Sequence, residues 1–165
     1  MDPATGHIIL GITGASGAAY ALRLLEQLLA HDRTVHLVVS EYGRRLLFDE
    51  AGIRKLEAAQ LIPALAQTPA ADRLVIHPNS DVGASIASGS FRCDGMVILP
   101  CTSATMGAIA SGSGSNLLAR AAAVTLKERR PLIACHRETP LSLIDIESMR
   151  TLTLAGATIC PTNPG

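Results

Sequence analysis

The chain has 165 residues, 48% hydrophobic and only 2% aromatic, with 14 basic side chains balanced by 14 acidic ones. That length predicts one domain with its own core, and so few rings mean a core packed from Ala, Leu, Ile and Val. Zero net charge and the scarcity of stacking aromatics exclude an electrostatic nucleic-acid binder; no apolar run reaches the ~18–20 residues that cross a bilayer.

An apolar, β-branched run at 8–12 feeds into Thr13-Gly14-Ala15-Ser16-Gly17 and then into a helical pattern at 18–30. Gly14 and Gly17 allow a sharp turn, and the first N–H groups of the helix are predicted to form an anion site, with Ser16 as a helix N-cap. Further strands are expected at 35–39, 74–76, 96–99, 132–134 and 158–160, from short apolar runs bounded by turn residues. Helices are expected at 44–49, 55–67, 116–129 and 141–154, the last with Pro140 near its first position. Strands alternating with helices imply βαβ units, hence a doubly wound α/β fold with a parallel sheet.

In such a sheet ligands collect at the C-terminal strand ends. Those ends carry Thr13-Gly14-Ala15-Ser16, then Ser40, then the loop Thr102-Ser103-Ala104-Thr105, then His136-Arg137-Glu138-Thr139. Four ligand-type loops on one edge point to a nucleotide-like ligand. No Tyr is followed four residues later by Lys, and Ser40 stands where a dehydrogenase holds the ribose with Asp or Glu. No Gly-Lys-Ser/Thr follows the first strand, which excludes a P-loop.

Arg120 and Lys127 are seven residues apart, two helical turns, and share one helix face; Arg129 and Arg130 are expected at the surface near that helix's C-terminus. The five histidines are scattered without metal-ligand spacing, so no metal is expected. The four cysteines form no C-x-x-C pair, and three follow apolar runs as small hydrophobes. A start lacking a signal-peptide pattern predicts a cytoplasmic protein, and the high apolar fraction predicts surface buried between copies.

Several longer stretches resemble the UbiX-type flavin prenyltransferases of the homo-oligomeric flavin-containing cysteine decarboxylase superfamily. They are Gly11-Ile12-Thr13-Gly14-Ala15-Ser16-Gly17-Ala18, Val35-His36-Leu37-Val38-Val39-Ser40 with Glu50 ten residues on, and Ala84-Ser85-Ile86-Ala87-Ser88-Gly89-Ser90-Phe91. Gly95-Met96-Val97-Ile98-Leu99-Pro100-Cys101, Asn116-Leu117-Leu118-Ala119-Arg120, Leu126-Lys127-Glu128-Arg129-Arg130-Pro131 and Arg137-Glu138-Thr139-Pro140-Leu141 continue in family order. The resemblance implies a Rossmann-like flavoprotein fold with helices on both faces. It also implies transfer of a dimethylallyl group from dimethylallyl phosphate to N5 and C6 of reduced FMN. The product, prenylated FMN, would serve a UbiD-type decarboxylase, as in ubiquinone biosynthesis.

By the same resemblance Gly14, Ala15, Ser16, Ser40, Thr102, Ser103, Ala104, Thr105 and Arg137 would hold FMN. Arg120 and Lys127 would hold the donor phosphate, and Ser16, Glu50 and Glu138 would move protons. The implied assembly is a trimer-based homo-oligomer, commonly a dodecamer. Two departures stand out: Ala123 replaces the family's usual Asp, and the sequence stops at Pro161-Thr162-Asn163-Pro164-Gly165, where the family continues with an aromatic segment and a final helix. A flavin-binding accessory subunit and a flavin-dependent decarboxylase of cysteine-derived peptides are the alternative readings.

Overall fold

A computed structural model describes residues 6–162. Its middle layer is a sheet of six strands: β1 (His7–Ile12), β2 (Thr34–Val39), β3 (Leu74–His77), β4 (Gly95–Cys101), β5 (Leu132–His136) and β6 (Thr158–Ile159). The spatial order is β3-β2-β1-β4-β5-β6, and every pairing is parallel. The winding reverses between β1 and β4, which leaves a crevice beyond their C-terminal ends.

Alternation along the strands splits the core in two. Leu10, Ile12, Leu37 and Val39 pack against α1 (Ala18–Ala30) and α2 (Glu41–Ala51) through Ala21, Leu25, Leu29, Leu46 and Leu47. Ile9, Val38, Met96, Ile98 and Ala134 face α4 (Ser103–Ala110), α5 (Leu117–Lys127) and α6 (Leu143–Leu154). Gly11 brings α5 close, since a Cβ there would lie 3.1 Å from a Leu118 methyl. No helix among the described residues is long and apolar enough to cross a membrane.

Three expectations need correction. The helix expected over 55–67 is only the short α3 (Ala58–Leu61): Ile62 leaves helical φ ahead of Pro63, which has no N–H to continue the ladder. The 102–105 loop is the start of α4, with the Thr102 hydroxyl accepting from the Thr105 N–H. Pro140 precedes α6 by three residues, and Ser142 and Asp145 form a reciprocal capping box there instead.

The structure also gathers histidines that looked scattered. Nδ1 of His7 lies 2.9 Å from Nε2 of His36, whose Nδ1 lies 3.0 Å from Nε2 of His77. The row crosses β1, β2 and β3 on the α5 side of the sheet, with the Phe91 ring edge-on to His7 and His36. Burial, then the neighbouring His77 and His7, lower the His36 pKa to about 4.

Candidate functional site

Thr13 closes the floor of the crevice. It is buried; its hydroxyl donates to the Pro100 carbonyl at 2.8 Å and accepts from the Thr102 N–H at 2.9 Å. The tip of β1 is thereby tied to the tip of β4, and everything after these strands starts from a fixed point.

On one side lies a cavity of about 330 Å³ lined by Gly14, Ala15, Ser16, Thr102, Arg137, Glu138 and Thr139. Its wall is the start of α1, where the sequence reading needs correction. Gly17, not Ser16, is the N-cap, and no cap side chain bonds the helix. Instead Glu50, at the end of α2, accepts from the N–H groups of Gly17 at 3.1 Å and Ala18 at 2.9 Å. The anion held by this helix start is thus the chain's own carboxylate.

Desolvation pushes the Glu50 pKa up, but hydrogen bonds from Ser16, Ala18 and Gly17 and the Arg137 charge outweigh it and leave the pKa lowered. Glu50 is therefore ionised at neutral pH, and the Ser16 hydroxyl, donating to it, turns its lone pairs elsewhere.

A second cavity, about 460 Å³, shares Gly14 and Thr102 with the first and adds Ser40, Glu41, Tyr42, Asn79, Ala104, Thr105, Ala108, Asn116 and Ala119. Three helices begin on it. Ser40 caps α2 by accepting from Gly43, Thr102 caps α4, and Asn116 caps α5 by accepting from Ala119. At α2 and α4 the caps leave the first helical N–H groups without an intrahelical partner, whereas Asn79 and Asn116 between them accept from those of Leu117, Leu118 and Ala119 at the start of α5; two open helix starts therefore face the cavity beside a third whose donors are taken. The open helix starts thus lie one cavity away from where the glycine-rich turn alone had placed them. Ala104, Ala108, Ala119 and the ring of Tyr42 supply an apolar wall beside it.

Of the residues singled out from sequence, Gly14, Ala15, Ser16, Ser40, Thr102, Ala104, Thr105, Arg137 and Glu138 line these two cavities, and Glu50 stands behind Ser16. Ser103 does not. Its hydroxyl turns back to Nε2 of the buried His136, 3.0 Å away, and bonds the Asp145 carboxylate. That bond is the strongest of the influences that hold the Asp145 pKa down to about 2. Ser103 thereby ties α4 to β5 and α6 behind the cleft.

Arg120 and Lys127 are exposed on α5 outside both cavities, and Lys127 pairs with Glu128 at 3.3 Å. Arg130, expected at the surface, instead donates to the carbonyls of Phe91 and Gly89. Burial first, then the neighbouring cysteine, pushes the thiols of Cys101 and Cys135 up to about 12, so neither is a nucleophile at neutral pH. Tyr42, Asn79 and Asn116 were missed as lining residues. Asn79 follows β3, so the strand-end rule applied to the third strand would have found it.

A family model described as Flavoprotein matches residues 2–164. The flavin prenyltransferase UbiX of Synechocystis sp. is 43% identical over 161 residues, covering 95% of this chain and 78% of that protein. The crystal structure of AnUbiX (PadA1) in complex with FMN and dimethylallyl pyrophosphate superposes with a TM-score of 0.85 at 37% identity, over 96% of this chain and 79% of that one. A dodecameric FMN-dependent UbiX-like decarboxylase from Escherichia coli O157:H7 superposes at 0.82 with 36% identity, over 96% and 80%. With the doubly wound sheet and a two-part cleft at its switch point, these likenesses place the chain in the flavoprotein family, among the UbiX-type flavin prenyltransferases.

Proposed function

We propose that this chain is a flavin prenyltransferase that joins a dimethylallyl group from dimethylallyl phosphate to N5 and C6 of reduced FMN. The observation that carries the reading is the joined pair of cavities, one ringed by helix N-termini with an apolar wall, the other ionic. FMN is a flat, largely apolar ring system bearing a phosphate, and that combination fits it. Gly14, Ala15, Ser16, Ser40, Thr102, Ala104, Thr105 and Arg137 would hold it, with Ser103 supporting α4 from behind.

When bound, reduced FMN supplies the nucleophilic nitrogen and the ring carbon that receive the prenyl group. The chain's own residues place and discharge protons around it. The Ser16 oxygen, its hydrogen given to Glu50, is set to accept the proton that N5 loses. Glu138, on the cavity wall beside Arg137, is placed to protonate the departing phosphate or to receive the proton from C6. Negative charge grows on that phosphate as the allylic C–O bond breaks, so cations there favour the transition state over the ground state.

Arg120 and Lys127 are those cations in this reading. They face outward from α5 and would serve the cleft of a neighbouring copy in a trimer-based assembly, with a dodecamer as the complete form. Prenylated FMN would pass to a UbiD-type decarboxylase.

Incubating the protein anaerobically with reduced FMN and dimethylallyl phosphate should raise the flavin mass by one prenyl unit. Binding without that mass change would favour the second reading, a flavin-binding subunit, which the outward placement of Arg120 and Lys127 supports. Lys127→Met and Arg120→Met should each lower kcat/KM about ten- to a hundred-fold with FMN affinity nearly unchanged, since a charge-assisted contact is worth roughly 1.5–3 kcal/mol. Arg137→Ala should instead weaken FMN binding itself, read by flavin titration. Transfer at the parent rate by Lys127→Met would return that lysine to a solvated helix face.

A further inference from the structure

Helix α6 turns Asp145 and Leu152 inward, yet its outer face carries large apolar side chains that nothing among the described residues covers. Leu143 is 72% exposed, Ile144 77% and Leu154 74%. Leu143 and Ile144 stand at one end of the helix and Leu154 at the other, and large apolar side chains left in solvent along one face mark an interaction surface.

The pattern on that face says what fits it. Leu143, Glu147, Arg150 and Leu154 follow at intervals of four, three and four residues, so they form one straight stripe along the helix. Read from either end, the stripe runs apolar, charged, charged, apolar, and reversal exchanges the acid with the base. A stripe of that kind complements an inverted copy of itself. We propose that α6 pairs antiparallel with α6 of a second copy, across a two-fold axis passing between Ser148 and Met149.

In that pair Leu143 lies against the partner's Leu154, and Glu147 lies against the partner's Arg150. Within one chain these two charges are 4.0 Å apart, with the Arg150 and Glu147 side chains 68% and 59% exposed, so little is lost in exchanging partners. Such a contact is isologous. It cannot lie inside a ring of three, so in a trimer-based assembly it joins one ring to the next. The inference rests on the reading that the chain assembles with copies of itself.

The test uses sedimentation velocity on the full chain. E147R places two bases in the stripe and R150E two acids, so each variant should repel its own copies and sediment as a smaller particle than the parent. Mixing the two variants in equal amounts should restore the parent size, because the two bases of one variant then face the two acids of the other. The double exchange E147R/R150E should restore it alone. Both positions are exposed, so the far-ultraviolet circular dichroism should keep the parent spectrum, while melting falls only as far as lost assembly requires. Parent-sized particles from both single variants, or a mixture that stays dissociated, would overturn the α6 assignment while leaving self-assembly standing. A parent that sediments as the 17.2 kDa monomer would overturn self-assembly itself.

Discussion

Gly43→Ala should lower the melting temperature by roughly 4–8 °C, a net loss of about 2 kcal/mol for a domain of this size. Helix propensity argues the other way, since alanine is favoured over glycine inside a helix by about 1 kcal/mol. The surroundings decide the sign. A Cβ on Gly43 would sit 2.4 Å from the Ile12 carbonyl oxygen and 3.0 Å from its carbon, and backbone at the tip of β1 cannot swing aside as a side-chain end would. Overpacking of that kind costs about 3 kcal/mol, enough to outweigh the propensity gain. Relief requires α2 to lift off the sheet, carrying Ser40 away from the second cavity and Glu50 away from α1. FMN affinity should therefore fall along with stability, measured by flavin titration and thermal melting on one sample. A variant that melts at or above the parent temperature would show that the contact is relieved without moving α2.

Acidification from pH 7 to pH 4 should cost the parent about 3 kcal/mol more stability than it costs His36→Gln. In the fold His36 stays neutral down to about pH 4, because burial and the neighbouring imidazoles of His77 and His7 disfavour its cation. In the unfolded chain it takes up a proton near pH 6.5. Between those values the unfolded state binds more protons, so stability is fully present above pH 6.5, falls through the window and levels off below about 4. His77 is also lowered, by burial, and adds in the same direction. The lowered carboxyls of Glu50 and Asp145 begin to cost stability as the pH falls through their unfolded values of 4.5 and 3.8, at the acid end of this range, and are common to both proteins. Glutamine keeps a donor and an acceptor between His7 and His77 without titrating. Urea unfolding at pH 7, 6, 5 and 4 measures the difference, and parallel profiles for parent and variant would remove His36 as its source.

Much of the frame was legible in the residues because local pattern dictates it. The helix at 18–30 was read at its observed bounds, since Leu22, Leu25 and Leu29 repeat at helical spacing behind a β-branched run, and the face it buries carries Ala18, Ala21, Leu25 and Leu29. All six strands were found within one or two residues, and the cleft-lining loops followed from where parallel strands end. Helix α4 escaped notice because Ser103-Ala104-Thr105-Met106-Gly107-Ala108 has, Met106 aside, small side chains and almost no amphipathic contrast; its helicity comes from packing on α6 and α5. The orientation of Ser103 was equally hidden, because its partners His136 and Asp145 are 33 and 42 positions away in the chain. Long-range pairing also set the row of histidines and the hold of Glu50 on α1, neither of which any local spacing announces.

The opening of α2 and α4 onto one cavity has a consequence for how a ligand's hold there would vary with conditions. A cradle of lysines or histidines loses charge as protons leave, and it needs long side chains to be immobilised each time a ligand arrives. The partial charges at the starts of α2 and α4 belong to peptide groups, which have no proton to lose in the physiological range and no rotamers to freeze. In the proposed reading, a phosphate there would be held by donors set once, by folding.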